Sequence, residues 1–181
     1  MDNKFKKATL AGGCFWCIEA IYKELRGVVS VISGYSGGDE KNPSYEEVSS
    51  GSTGHVEAVQ IEYNPELISY KDILDIFWTA HDPTQENGQG TDIGPQYRAV
   101  IFYHDDEQKK IAEESKEKLG ASGKYKKPIA TKIKPFTSFY EAEDYHQDYY
   151  ESNKQAPYCR LVINPKLKKL RNNFNEKLKE K

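Results

Sequence analysis

Between residues 7 and 25 the chain changes its hydrophobic period across two glycines, which dictates a short strand turning sharply into a helix. Residues 7–10 read as a strand running into Gly12-Gly13. Ile18, Ile21, Tyr22 and Leu25 then recur at helical spacing until Gly27 stops them. The two glycines permit a tight turn and leave the approach to the next residue open. Cys14 therefore falls at or just before the first helical turn, where unpaired amides and the positive end of the helix dipole favour a thiolate over a thiol. The thiolate is the reactive form, so Cys14 is a candidate nucleophile. The competing use of a free cysteine is as a small buried hydrophobe.

The rest of the chain mixes the two periods without a regular rhythm. Residues 28–35 and 55–63 read as strands. A helix over 69–80 carries Tyr70, Ile73, Leu74, Phe77 and Trp78 on one face, with Ser69 as its cap. Residues 82–96 form a long Gly/Pro/Asn/Asp segment, of a length that is often functional inside a compact domain. A strand at 98–103, a charged helix at 105–119 and an edge strand at 129–134 follow, then an aromatic-rich stretch at 136–150. In the tail, residues 160–164 look strand-like and Leu167, Leu170, Phe174 and Leu178 form one stripe. This predicts an α+β fold in a single catalytic domain over residues 1–181, with 160–181 as a C-terminal strand and helix extension. The tail stripe is expected to pack on the domain; a free, partner-binding tail helix is the non-enzymatic alternative.

Cys17 lies one turn after Cys14. It is either a resolving thiol of a Cys-x-x-Cys pair or a packing residue beside Ile18 and Ile21. Cys159 is isolated, and the four histidines are scattered, so no metal site is expected. Phe15 and Trp16 are either core aromatics or the walls of an apolar pocket beside the thiol. In the 55–63 strand, Glu57 shares a face with Val59, Ile61 and Tyr63. It therefore points to the core as a carboxyl whose proton is retained, able to act as a general acid, or else sits solvated at the strand's rim. Asp92, Tyr97 and Tyr45 are candidates to join the same pocket, since phenols donate hydrogen bonds to an oxygen gaining charge.

Composition bounds the function classes. A net charge of −2 gives no reason to expect nucleic acid as a partner. No apolar run approaches the roughly 20 residues of a membrane span, and no secretory leader is read at residues 1–7. Three cysteines, an odd count, fit a reduced cytoplasmic protein better than a disulfide scaffold.

Several motifs in order resemble the A-type peptide methionine sulfoxide reductases: Gly13-Cys14-Phe15-Trp16-Cys17, Gly34-Tyr35-Ser36-Gly37-Gly38, Asn42-Pro43-Ser44-Tyr45, Thr53-Gly54-His55-Val56-Glu57, Asp92-Ile93-Gly94-Pro95-Gln96-Tyr97-Arg98 and Glu141-Ala142-Glu143-Asp144-Tyr145-His146-Gln147. The resemblance implies a two-layer α/β sandwich around a ferredoxin-like core. It also implies that Cys14 attacks the sulfoxide sulfur of the S epimer, in free methionine sulfoxide or in oxidised peptides and proteins, while protonated Glu57 donates to the oxygen. Tyr45 and Tyr97 would stabilise that oxygen, Asp92 would support the polar side, and Phe15 and Trp16 would hold the methyl group. Cys14 would become a sulfenic acid, then an intramolecular disulfide reopened by a thioredoxin-like reductant, with no bound cofactor and a monomeric enzyme. Many relatives carry the recycling cysteine in a glycine-rich tail that is lacking after Cys159. Cys159 is nonetheless expected to resolve Cys14, with Cys17 as competitor, because two cysteines three apart in a regular helix bond only by distorting it. A general dithiol–disulfide oxidoreductase using Cys14 and Cys17 is the alternative activity, and requires a thioredoxin-like βαβ order.

Overall fold

The computed structural model describes residues 4–180; Met1–Asn3, the start of the lysine-rich N-terminal stretch, and Lys181 at the end of the tail lie outside it. Strand β1 (Lys6–Ala11) delivers Gly12 and Gly13, and helix α1 (Phe15–Lys23) begins directly after Cys14. β2 (Val28–Ser36), the short α2 (Tyr45–Ser49), β3 (Val56–Tyr63) and α3 (Tyr70–Ala80) follow. Both α2 and α3 start at reciprocal capping boxes, Ser44 with Glu47 and Ser69 with Asp72, so the first turns are satisfied locally. The loop after α3 is not featureless: β4 (Gly88–Gln89) and β5 (Asp92–Ile93) make a small hairpin within it. β6 (Val100–Tyr103), α4 (Asp106–Ala121), β7 (Lys132–Pro135), β8 (Phe139–Glu141), α5 (Tyr149–Ser152) and α6 (Asn164–Asn173) complete the chain.

Six strands form one sheet in the order β7-β6-β1-β3-β2-β8, antiparallel throughout except for the β6–β7 pair. The helices cover one face of it. There Leu10, Val59 and Ile61 meet Ile18 and Tyr22 of α1 and Phe77 of α3 in the main core. The other face carries a smaller patch of Ala11, Val56, Ala58, Val100 and Phe102, packed by Phe136 and Phe139. The alternation of β3 thus sends Glu57, Val59, Ile61 and Tyr63 to the helical side.

The tail departs from the expected strand-then-helix. Cys159–Ile163 is a π-helical turn that runs straight into α6. β-branched Val162 and Ile163 favour a strand locally. However, Cys159, Ile163, Leu167 and Leu170 recur at helical spacing and are all buried in the main core, which overrides that local preference. Beyond α6 the chain returns to α1: the Arg26 amide donates to the Lys177 carbonyl, and Lys179 donates to that of Glu24. The tail stripe therefore packs on the domain. The edge strand is also shorter than expected, starting at Lys132, because the Ala130 amide turns aside to the Pro83 carbonyl.

Candidate active site

Cys14 is the N-cap of α1, with an extended backbone (φ −59°, ψ 125°) outside the helix proper, and is 9% exposed. Gly13 before it has φ +90°, and a Cβ there would meet the Gln89 side chain at 2.7 Å, so glycine is required on both counts. The amide of Phe15, the first helical residue, donates to Glu57 Oε2 at 3.0 Å. This one contact brings the β3 carboxyl to the helix start beside the thiol. Glu57 is 3% exposed, and burial pushes its carboxyl up to about 8, with the negative charge of Asp92 adding to the effect. At neutral pH it is a carboxylic acid.

The resting thiol differs from the expected thiolate. Burial pushes the Cys14 thiol well above its ordinary value, and its hydrogen bond to Cys17 and the nearby Glu57 act in the same direction. Desolvation therefore outweighs the helix dipole in the closed site. The neighbouring Cys17 is lowered to about 7, first by the hydrogen bond from Cys14 against the cost of burial, then by Lys166 and Tyr158. Cys17 Sγ lies 3.4 Å from the Tyr158 hydroxyl, which donates to Asp92 Oδ2 at 2.7 Å. Asp92 thus reaches the thiol pair through Tyr158.

Tyr45 and Tyr97 are half-buried, and both phenols are raised, first by burial. Both phenols also lie within electrostatic reach of Glu57 and Cys14, whose ionised forms would raise them further. Phe15 is 1% exposed and backs the site from the core, between Tyr35 and His146. Trp16 is half-buried; its indole lies flat on Tyr149, with centroids 3.5 Å apart, and edge-on to Tyr158.

Four groups that sequence reasoning missed hold this arrangement. Glu143 receives the Tyr35 hydroxyl (2.9 Å) and the Tyr45 amide (3.0 Å), tying α2 to β2. His146 accepts the Trp16 indole N–H on Nδ1 at 3.1 Å, fixing the ring plane. Tyr158 links Cys17 to Asp92. Buried Glu19 receives the Ser33 hydroxyl and the Asp148 amide, both at 2.7 Å, and pairs with Lys23. For Glu143 and His146 the signal was the Glu141–Gln147 motif, which named them without a role, and for Tyr158 only the 13 tyrosines; Glu19 gave none.

Cys159 is fully buried on the π-helical turn. All three cysteines are free. The premise that favoured Cys159 as partner does not hold, because Cys14 stands outside the regular helix and Cys17 inside it. Among the described residues no group of His, Cys, Asp and Glu is placed to hold a metal ion, and no helix is long and apolar enough to cross a membrane.

A thiol at a helix start, next to a neutral carboxyl and two phenols, is the site of a thiol-dependent oxidoreductase acting on a polarised oxygen. Residues 6–178 match the family model of peptide methionine sulfoxide reductase, and the chain belongs to that family. A peptide methionine sulfoxide reductase of Sulfolobus acidocaldarius is 55% identical over 174 residues, covering 94% of this chain and 96% of the relative. The reduced form of Mxr1 from Saccharomyces cerevisiae is 40% identical with a TM-score of 0.76, over 88% of this chain and 91% of that one. Mxr1 in complex with Trx2 matches at 32% identity and a TM-score of 0.54, over 82% of this chain and 87% of that one. The chain is thus an enzyme that reduces methionine sulfoxide with thiols.

Proposed function

We propose that Cys14 attacks the sulfur of methionine S-sulfoxide, free or within oxidised peptides and proteins, while Glu57 supplies the proton to the departing oxygen. The observation that carries this reading is the Phe15–Glu57 hydrogen bond, which sets a protonated carboxyl beside the thiol. Cys14 sulfur bonds to the sulfoxide sulfur as Glu57 protonates the oxygen; the oxygen then passes to Cys14 as the new sulfur–sulfur bond breaks, leaving methionine and a Cys14 sulfenic acid, and Glu57 recovers the proton that Cys14 loses. Tyr45 and Tyr97 donate to the oxygen as its charge grows, and Asp92 orients Tyr158. Trp16 holds the methyl group, and Phe15 supports the apolar wall from behind.

Cys17 then displaces water from the sulfenic acid to form a Cys14–Cys17 disulfide. Supporting this are the lowered Cys17 thiol and the N-cap backbone of Cys14, which spares the helix. A thioredoxin-like dithiol reopens the bond, in keeping with the complex that Mxr1 forms with Trx2. Three free cysteines suit a reducing compartment such as the cytoplasm, where the enzyme works as a single catalytic domain. The general dithiol oxidoreductase reading is disfavoured, since β1, which delivers Cys14, has antiparallel neighbours on both sides. The test is conversion of peptide methionine S-sulfoxide by purified protein with dithiothreitol. Cys14→Ser must abolish it, and surviving activity would overturn the assignment.

A further inference from the structure

The long segment at 82–96 supplies Asp92 to the site, and the side chain that folds it back on itself is Gln89. This residue is 6% exposed and stands on β4, opposite Asp92 in the β4–β5 register. Its amide turns back along the loop to Asp82, just beyond α3. Oε1 accepts the Asp82 N–H at 2.7 Å, and Nε2 donates to the Asp82 carbonyl, also at 2.7 Å. One side chain thus satisfies both backbone groups of one residue, as a neighbouring strand would, and pins residues 82–89 as a closed loop.

The same side chain reaches the backbone of the nucleophile. A Cβ on Gly13 would meet Gln89 Cβ and Cγ at 2.7 and 2.8 Å, so these methylenes lie directly on the residue before Cys14. Gln89 therefore presses on the Gly13–Cys14 turn with its stem and grips the end of α3 with its amide. Its backbone pairs with the strand that carries Asp92. Asp92 in turn accepts the Tyr158 hydroxyl, and its charge reaches Glu57. Gln85 makes a comparable bond away from this junction: its Oε1 accepts the Gly90 amide at 2.8 Å on the exposed side of the loop.

We propose that Gln89 is a positioning residue for sulfoxide reduction, holding the Cys14 turn and the Asp92 hairpin in one register. The proposal rests on the assignment of Cys14 as nucleophile and Glu57 as acid. Without the clamp the loop opens, so that Asp92 moves out and water moves in. Cys14, Cys17, Tyr35, Tyr45, Tyr97 and Asp92 all lie within electrostatic reach of Glu57, and Asp92 is the carboxylate that the clamp holds among them. Its withdrawal and the entry of water both favour the Glu57 carboxylate, so the acid loses its proton at a lower pH. The attacking sulfur also loses its fixed approach, and a displacement of about 1 Å costs about 10²-fold in rate. The apolar wall is held separately, by His146 and Tyr149 on Trp16, so sulfoxide binding is spared.

The test uses Gln89→Met, which keeps the methylenes on Gly13 and loses both amide bonds, and Gln89→Ala, which loses both contacts. Single-turnover rates with a peptide methionine S-sulfoxide should fall about tenfold in the first and about a hundredfold in the second. The peptide concentration giving half of that rate should stay within about twofold of wild type. The infrared carboxyl band of Glu57 should titrate about one pH unit below its wild-type midpoint in both variants. Gln85→Met, which frees the loop only at its surface, should move neither readout. Gln89→Met carries the test if Gln89→Ala does not fold. A lower melting temperature with unchanged rate and unchanged midpoint would make Gln89 structural alone and overturn the proposal. An equal effect of Gln85→Met would also overturn it, since general loop stiffness would then be the cause. Glu57→Gln turning over at the wild-type rate would instead remove the reading on which it rests.

Discussion

The amide of Phe15 donates to the carboxyl of Glu57 at 3.0 Å, joining the first turn of α1 to the start of β3 across 42 residues of sequence. A helix N-terminus favours an anion, yet burial at this junction keeps the carboxyl protonated up to about 8. Infrared difference spectra should therefore show a protonated carboxyl band that disappears as pH rises through about 8 and is missing from Glu57→Gln. Glu57→Gln should lower the single-turnover rate by about 10²- to 10⁴-fold. An unchanged rate would rule out acid catalysis by Glu57.

The same carboxyl links stability to pH. Its value in the folded protein is raised from 4.5 to about 8, so its protonated form is the one the fold favours. That contribution is complete below the unfolded value and is lost as pH rises towards the folded one. Glu57→Gln keeps an acceptor for the Phe15 amide and carries no charge. Its melting temperature should exceed that of wild type at pH 9 and converge with it near pH 4, as followed by circular dichroism.

For the thiols, mass spectrometry after one turnover without reductant should find Cys14 bonded to Cys17. Cys17→Ser should release one methionine per enzyme and stall as a sulfenic acid that dimedone traps, with thioredoxin unable to restart it. Cys159→Ser should still form the first disulfide. A Cys14–Cys159 bond in the wild-type enzyme would reverse the assignment and require the π-helical turn to open, since Cys159 is fully buried.

Glu19 tests how the aromatic wall is held. Its buried carboxylate receives the Ser33 hydroxyl and the Asp148 amide and pairs with Lys23. The 143–149 segment thereby stays over Trp16. Glu19→Ala leaves those donors without an acceptor and should cost about 3 kcal/mol, read as a lower urea midpoint at constant slope. The KM for sulfoxide should rise as His146 and Tyr149 lose their register against Trp16.

Local signals carried much of the fold. Alternation put Glu57 on the same face of β3 as Val59, Ile61 and Tyr63, though not whether it was buried or solvated at the rim; Ser69 marked the start of α3, and the strand–Gly-Gly–helix transition put Cys14 at a helix start. Each depends on residues only a few positions apart, whose periodicity and backbone freedom are set by the chain itself. The turn at Cys159–Ile163 was misread because its β-branched residues favour a strand, whereas burial against α1 decides the matter. The wall residues Glu143, His146 and Tyr158 lie between 66 and 141 positions from the groups they hold. Nothing in their local pattern shows that pairing of β8 with β2 brings the 143–149 segment back over Trp16.

The chain by itself determined which thiol stands at a helix start and which strand face Glu57 shares with Val59, Ile61 and Tyr63, since both follow from short-range geometry; that Glu57 is buried there was decided by the packing. Only the tertiary structure decided the protonation of that thiol and its nearest sulfur partner. Burial is a property of everything packed around a group, and here it outweighs the helix dipole and holds Cys14 protonated beside Cys17.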